Sequence, residues 1–212
     1  MVQKRSKTEP TPSKKRGRPR AYDPDTALAR AAATFWKAGY AGTSLDDLSA
    51  ATGMNRPSLY AAFGDKRDLY LKTLEHYSDE ARELTRKALA DDPPLRVFLK
   101  RFYDTALDLY FGDGPRGCYT VGTAATVAAV DDGVRAFLAE RIRNADEFLK
   151  KRIEAAKERG EIARDADPNA LAYVTTATLH TLAVRSRAGV TRAELDALVD
   201  AAIGVICGPP PR

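Results

Sequence analysis

The 212-residue sequence predicts an all-α fold of about nine helices, with a three-helix N-terminal unit carrying a helix-turn-helix followed by a larger helical bundle. Three observations point there. Apolar residues recur at alternating steps of three and four in segment after segment, and no stretch shows the strict alternation of a half-buried strand. Asp, Ser and Thr stand where the helices open, and Gly or Pro where they end. A composition of 44% apolar and 30% charged residues suits a chain that buries a sizeable core beneath a charged surface.

Residues 1–20 stand apart from this pattern. They hold eight Lys or Arg against Glu9, a net charge of +7, so with +5 for the whole chain the remainder sums to −2. The high charge belongs to an arm that seeks a polyanion, and its prolines, Ser and Thr cannot bury enough apolar surface to fold alone. Its core, Arg16-Gly17-Arg18-Pro19-Arg20, resembles an AT-hook. Glycine lets the backbone lie close to a groove floor, proline keeps the path extended, and Arg16, Arg18 and Arg20 enter a narrow minor groove. A generic solvated tail is the other reading.

Asp23-Pro24 opens the first helix, Asp as cap and Pro in the first turn. Leu28, Ala31, Ala32, Phe35 and Trp36 then form one stripe up to Gly39, read as core with Trp36 included. Thr43 or Ser44 supplies a hydroxyl N-cap for a short helix, and Asp46 or Asp47 completes a capping box, while Leu45 and Leu48 face inward. Gly53 offers the positive φ that ends this helix, and Asn55-Arg56-Pro57 starts the next. On that second helix Leu59 and Phe63 turn inward. Arg56, Ser58, Tyr60, Ala61 and Ala62 are left on or near a face that fits a major groove. Asp65 caps the helix after it.

Gly39-Tyr40, Thr43, Leu48, Gly53 and the run SLYAAFGDKRDLY, with Leu59-Tyr60, Phe63 and Lys66 in register, resemble the TetR family of transcriptional regulators over about 45 residues. Pro57 departs from that pattern, standing where similar sequences carry glycine. The resemblance implies an all-α homodimer, with N-terminal helices on a palindromic DNA operator and a divergent bundle that binds a small-molecule effector. It implies DNA contacts from Thr43, Ser44, Asn55, Arg56, Ser58, Tyr60 and Lys66, beside the arm's Arg16, Arg18 and Arg20. Tyr60 and Lys66 are assigned to phosphates, and Arg56 and Ser58 to base edges.

Beyond Asp65 the positions Leu69, Leu74, Tyr77, Ala81, Leu84 and Ala88 describe one long helix, a lever between the DNA unit and the body. Asp91-Asp92-Pro93-Pro94 breaks it, and Leu95 to Tyr110 builds the next helix up to the glycine-rich loop at 112–117. Cys118 to Val130 reads as a helix of small residues. Asp131-Asp132 caps a long helix carrying Phe137, Leu138, Ile142, Leu149 and Ile153. Asp167-Pro168 opens a helix uncharged from Leu171 to Val184, which must be buried all round. A capping box, Thr191 to Glu194, opens the last one, and the apolar seam of this final pair is read as a self-complementary twofold interface. Intrachain packing is the alternative.

Polar tips on apolar ground, Tyr103, Tyr110, Tyr119, Thr123, Thr126, Tyr173, Thr176 and His180, converge in an expected effector pocket with Leu107, Cys118 and Phe137. Cys118 follows Arg116-Gly117 in an arrangement that resembles the Gly-Cys pair of a TetR subgroup, some of whose members sense electrophiles or oxidants through that thiol. A buried small hydrophobe is the competing reading. The expected domains are an arm at 1–20, a helix-turn-helix domain at 21–68, an effector-binding and dimerisation domain at 69–208, and a tail at 209–212.

His76 and His180 are isolated, no GxSxG or metal-ligand spacing occurs, and Cys118 and Cys207 make no CxxC, so neither enzyme, metal nor cofactor is expected. The absence of a disulfide framework fits a reducing cytosol, and no apolar run approaches the ~20 residues needed to span a bilayer. Two competing readings stay open: an architectural protein that coats AT-rich DNA, and an enzyme using the body's cavity.

Overall fold

The computed structural model describes residues 22–112 and 116–209, so the arm, with Arg16, Arg18 and Arg20, lies outside the described residues. Among the described residues the chain is α-helical without strands. Asp23 caps α1 (Pro24–Gly42) by accepting from Thr26 N at 3.1 Å. Gly39, at φ 74°, breaks α1 before its last residues, and the Thr43 hydroxyl closes the break by donating to Gly39 O at 2.7 Å.

Of the two possible caps for α2 (Leu45–Thr52), Ser44 takes the role. It forms a reciprocal box with Asp47, at 3.1 Å from Asp47 N to Oγ and 2.8 Å from Ser44 N to the carboxylate. Gly53 follows at φ 71°, as the turn demands. Asn55 caps α3 (Arg56–Phe63), accepting from Ser58 N at 2.9 Å. Asp65 and Asp68 form the box that opens α4 (Lys66–Ala88). These four short-range devices fix the angles of the helix-turn-helix. Leu48, Leu59, Phe63, Leu69 and Tyr70 then pack it on Phe35 and Trp36; each large side chain fully buried there is worth about 1.5–3 kcal/mol.

The body comprises α5 (Leu95–Phe111), α6 (Ala125–Val127), α7 (Asp132–Glu158), α8 (Pro168–Arg187) and α9 (Arg192–Cys207). Asp131, Asp167 and Thr191 cap α7, α8 and α9. Two cores result. One joins α1–α4 to Tyr119, Val127, Val134 and Phe137, so a segment of the body is built into the floor of the helix-turn-helix unit. The other fills the space between α5, α7, α8 and α9.

Two expectations change. The helix of small residues is a π-helical turn at Thr120–Ala124 leading into the three-residue α6. Thr120, Val121, Gly122 and Thr123 are poor helix formers. Tyr119 and Thr123 are also held sideways by bonds to α4. The apolar α8 is not buried all round within one chain. Tyr173 is 57% exposed and Val184 58%, and Val205 of α9 is 74% exposed, because α8 and α9 pack inward on one face only. No helix among the described residues is long and apolar enough to cross a membrane.

Candidate functional site

The face of α3 is built from short-range geometry. Arg56 and Tyr60 are exposed, and Arg56 reaches back to α2, donating from Nε to Asp46 Oδ1 at 3.0 Å and from Nη2 to Asp46 Oδ2 at 2.6 Å. That grip uses one edge of the guanidinium and leaves Nη1 and the second N–H of Nη2 as a free end. Lys66 lies with Nζ 4.5 Å from the centre of the Tyr40 ring, and partial burial pulls its ammonium below the usual value.

Thr43 is displaced from its expected role: its side chain is buried and its hydroxyl spent on Gly39. The Ser44 hydroxyl is likewise engaged, donating to Asp47 at 2.7 Å, and the Asn55 side-chain oxygen is held as a cap. Arg56, Ser58, Tyr60 and Lys66 therefore remain the side chains grouped at α3 and the start of α4.

A dense seam couples this unit to the body. Trp36 Nε1 donates to Arg116 O at 3.0 Å, and the Arg116 guanidinium lies 5.3 Å from the Trp36 ring centre. Arg187 of α8 reaches Trp36 O at 3.5 Å. Tyr70 donates to the Thr123 hydroxyl at 2.8 Å, and the Thr73 and Tyr119 hydroxyls are 2.8 Å apart. At Gly117, φ is 67° and a Cβ would stand 2.4 Å from Ala183 O, so only glycine lets this turn lie against α8.

Between α4, α5 and α7 lies a cleft of about 1180 Å³. Its wall is apolar along Leu89, Phe98, Phe102, Leu138, Ile142 and Phe148, and Tyr110, Cys118, Thr120, Leu179 and His180 also line it. Four arginines, Arg82, Arg86, Arg141 and Arg152, line it against the two carboxylates of Asp92 and Glu140. Burial lowers the His180 pKa, with Asp146 opposing, which favours the neutral imidazole. Burial also raises the Cys118 thiol, whose Sγ is 3.9 Å from the Tyr77 hydroxyl. That environment is the reverse of an activated thiolate.

Of the residues expected in a pocket, Tyr110, Cys118 and His180 line the cleft. The others are held elsewhere. Tyr103 and Leu107 are fully buried in the body core, with the Tyr103 hydroxyl donating to Thr175 O at 3.2 Å. Tyr119 and Thr123 turn toward α4, Phe137 belongs to the first core, and Thr176 donates to Asp146 at 2.6 Å. Tyr173 faces outward. The sequence reading missed Phe98, Phe102, Leu138, Ile142, Phe148, Arg141 and Arg152 as wall residues. The available signal was the α7 stripe Leu138, Arg141, Ile142, Ala145, Phe148 and Arg152, where arginines interrupt an apolar face at helical spacing.

A helix-turn-helix with an exposed second helix, tied by a long helix to a hollow helical body, defines a DNA-binding transcriptional regulator. The description "Bacterial regulatory proteins, tetR family" matches residues 27–73, and "Tetracyclin repressor-like, C-terminal domain" matches residues 95–202. The chain belongs to the TetR family.

It is 28% identical over 184 residues to the HTH-type transcriptional repressor ComR of Escherichia coli (strain K12), covering 86% of this chain and 88% of ComR. It is 33% identical over 102 residues to the HTH-type transcriptional repressor BdcR of the same organism, covering 48% of this chain and 51% of BdcR. A cysteine variant of the TetR-family regulator CifR, solved with 26-bp double-strand operator DNA, is similar at 34% identity and a TM-score of 0.80, with 88% of this chain and 98% of that one covered.

Proposed function

We propose that the protein is a homodimeric cytoplasmic repressor that holds a palindromic operator with two copies of α3 and lets go when a small molecule enters the cleft. The observation that carries this reading is the double duty of α4. Tyr77, Ala81 and Thr85, with Leu89 just past the helix end, wall the cleft, while the first turn of the same helix is packed on α3. A ligand that binds tighter to one setting of α4 shifts the spacing of the recognition helices by its differential affinity, typically 1–3 kcal/mol for coupled sites.

The uncovered apolar residues Tyr173, Val174, Val184 and Val205 support twofold pairing through α8 and α9. ComR and BdcR are both named repressors, and CifR was solved on operator DNA. The domains then divide as a DNA-seeking arm at 1–20, a DNA-binding unit at 21–68 and an effector-binding and dimerisation bundle at 69–208. Arg56 and Ser58 read base edges, with Tyr60 and Lys66 on phosphates.

The test is a footprint of the full chain on genomic fragments, repeated with Ala145→Trp, which fills the cleft from α7. One protected palindrome, bound by both proteins and released by a cell extract only in the wild type, is the expected result. Uniform coating of AT-rich DNA would sink the operator reading, and release of the filled variant would move the effector site out of the cleft.

A further inference from the structure

The geometry points to the chemical class of the effector: an elongated organic acid, its anionic head on Arg152 and its apolar body along the α5–α7 wall. The inference rests on the cleft being the effector site. Arg152 lines the cleft, yet its side chain is only 8% exposed. Its Nη2 donates to Pro93 O and its guanidinium carbon sits 4.9 Å from the centre of the Phe98 ring, while Nη1 has no hydrogen-bond partner. The carboxylate beside it, Asp92, stands 3.4 Å from Nε without a hydrogen bond; it is 69% exposed and shared with Arg159 at 3.5 Å.

The other arginines of the wall each meet an acid on their own helix, although Arg141 Nε also lacks a hydrogen-bond partner. Arg82 meets Asp79 at 3.0 Å, Arg86 meets Glu83 at 2.7 Å, and Arg141 meets Glu140 at 3.2 Å. Glu161 also acts on Arg152 through space, yet neither it nor Asp92 gives the buried Nε or Nη1 a hydrogen bond, and an acid head supplies the charge-assisted hydrogen bonds they lack. A neutral ligand leaves Nη1 as it is, so the site discriminates by charge more sharply than by one methylene more or less.

The rest of the wall sets the shape. From Arg152 to Leu138 the α7 face runs fourteen residues, about 21 Å at 1.5 Å per residue, past Phe148 and Ile142, with Phe98 and Phe102 opposite. Asp92 is the one non-glycine residue at positive φ among the described residues, 44°, in the turn that ends α4. It is a weakly held placeholder for the ligand's own acid group. Its displacement frees the α4–α5 turn, which links recognition of the acid to the lever.

The test uses two dyes of one aromatic body on the full-length protein, 1-anilinonaphthalene-8-sulfonate and its neutral analogue N-phenyl-1-naphthylamine, titrated by their emission and displaced by decanoate or decanol. The acid should bind about tenfold or more tightly than the neutral dye, and decanoate should displace it better than decanol. Arg152→Met should remove that preference while keeping the neutral dye. Asp92→Asn, an exposed change that leaves Arg152 in place, should instead increase it. Equal binding of the two dyes, or an unchanged preference in Asp92→Asn, overturns the organic-acid class alone and leaves the cleft reading standing. Failure of both dyes and both alkyl probes to bind overturns the cleft reading and the acid class with it.

Discussion

Arg67, in the first turn of α4, grips Asp131, the N-cap of α7, through both carboxylate oxygens, with Nη2 2.9 Å from Oδ1 and Nε 2.5 Å from Oδ2. The same carboxylate accepts from Val134 N at 3.0 Å. One side chain thus opens the longest helix of the body and fastens the lever of the DNA unit to it.

This pair gives stability a pH signature. The guanidinium and the helix N–H groups hold the Asp131 carboxyl down at about 2, below its ordinary 3.8. A lowered folded value means the contribution is complete above the unfolded value and lost as pH falls toward the folded one. Asp131→Asn keeps a cap and discards the charge, so its melting temperature should sit a constant distance below wild type from about pH 7 to about pH 5, and the gap should narrow from about pH 4 downward and vanish only as the pH nears about 2. Calorimetry from about pH 7 down to about pH 2 checks it, and a gap that does not narrow between about pH 4 and about pH 2 would break the assignment.

Asp46 is expected to position Arg56 for reading guanine, since its grip on one edge leaves the free end as a fork. Asp46→Ala should flatten guanine preference at one base pair per half-site by about tenfold. It should also strengthen binding to random DNA, because an acid leaves the phosphate-facing surface. Arg56→Ala should lose both. Selection from randomised operators reads all three proteins, and an Asp46→Ala logo identical to wild type would remove the role.

Tyr70→Phe probes the seam. The Tyr70 hydroxyl is buried and donates to Thr123, which itself donates to Tyr119 O at 2.9 Å, so the change leaves one acceptor position empty and costs about 1 kcal/mol. Denaturant melts of Tyr70→Phe, Thr123→Val and the double variant form a cycle. Strict additivity would show that the two hydroxyls do not couple.

The arm is tested by salt. Counterion release lowers log K by about 0.9 per phosphate contact for each decade of salt. If Arg16, Arg18 and Arg20 engage the minor groove from both protomers, deleting residues 1–20 should flatten the slope by several units and selectively weaken AT-rich flanks. An unchanged slope on both flank compositions identifies a plain solvated tail.

The features legible in the sequence are those that depend on near neighbours along the chain. The Asp23, Ser44, Asp65, Asp131 and Thr191 caps and the turn at Gly53 arise from contacts of three or four residues, and all are present. The helix-turn-helix came with them. The cleft did not, because it exists only where α4, α5 and α7 diverge, and no single helix records that separation. Tyr119 and Thr123 look like pocket residues along the chain, yet across space they meet Thr73 and Tyr70. Arg152 looks like an ordinary surface cation on α7 until Pro93 and Phe98 close over it.

Gly117 carries a consequence for how such a protein diversifies. The positions around the cleft are side-chain contacts and accept gradual exchange, one methylene or one charge at a time. At 117 the backbone itself touches α8, and the smallest step, a methyl group, already collides with Ala183 O. Ligand preference can therefore drift along the α7 wall while this joint stays locked. A saturation library across residues 116–123 should show one column empty beside columns that tolerate change.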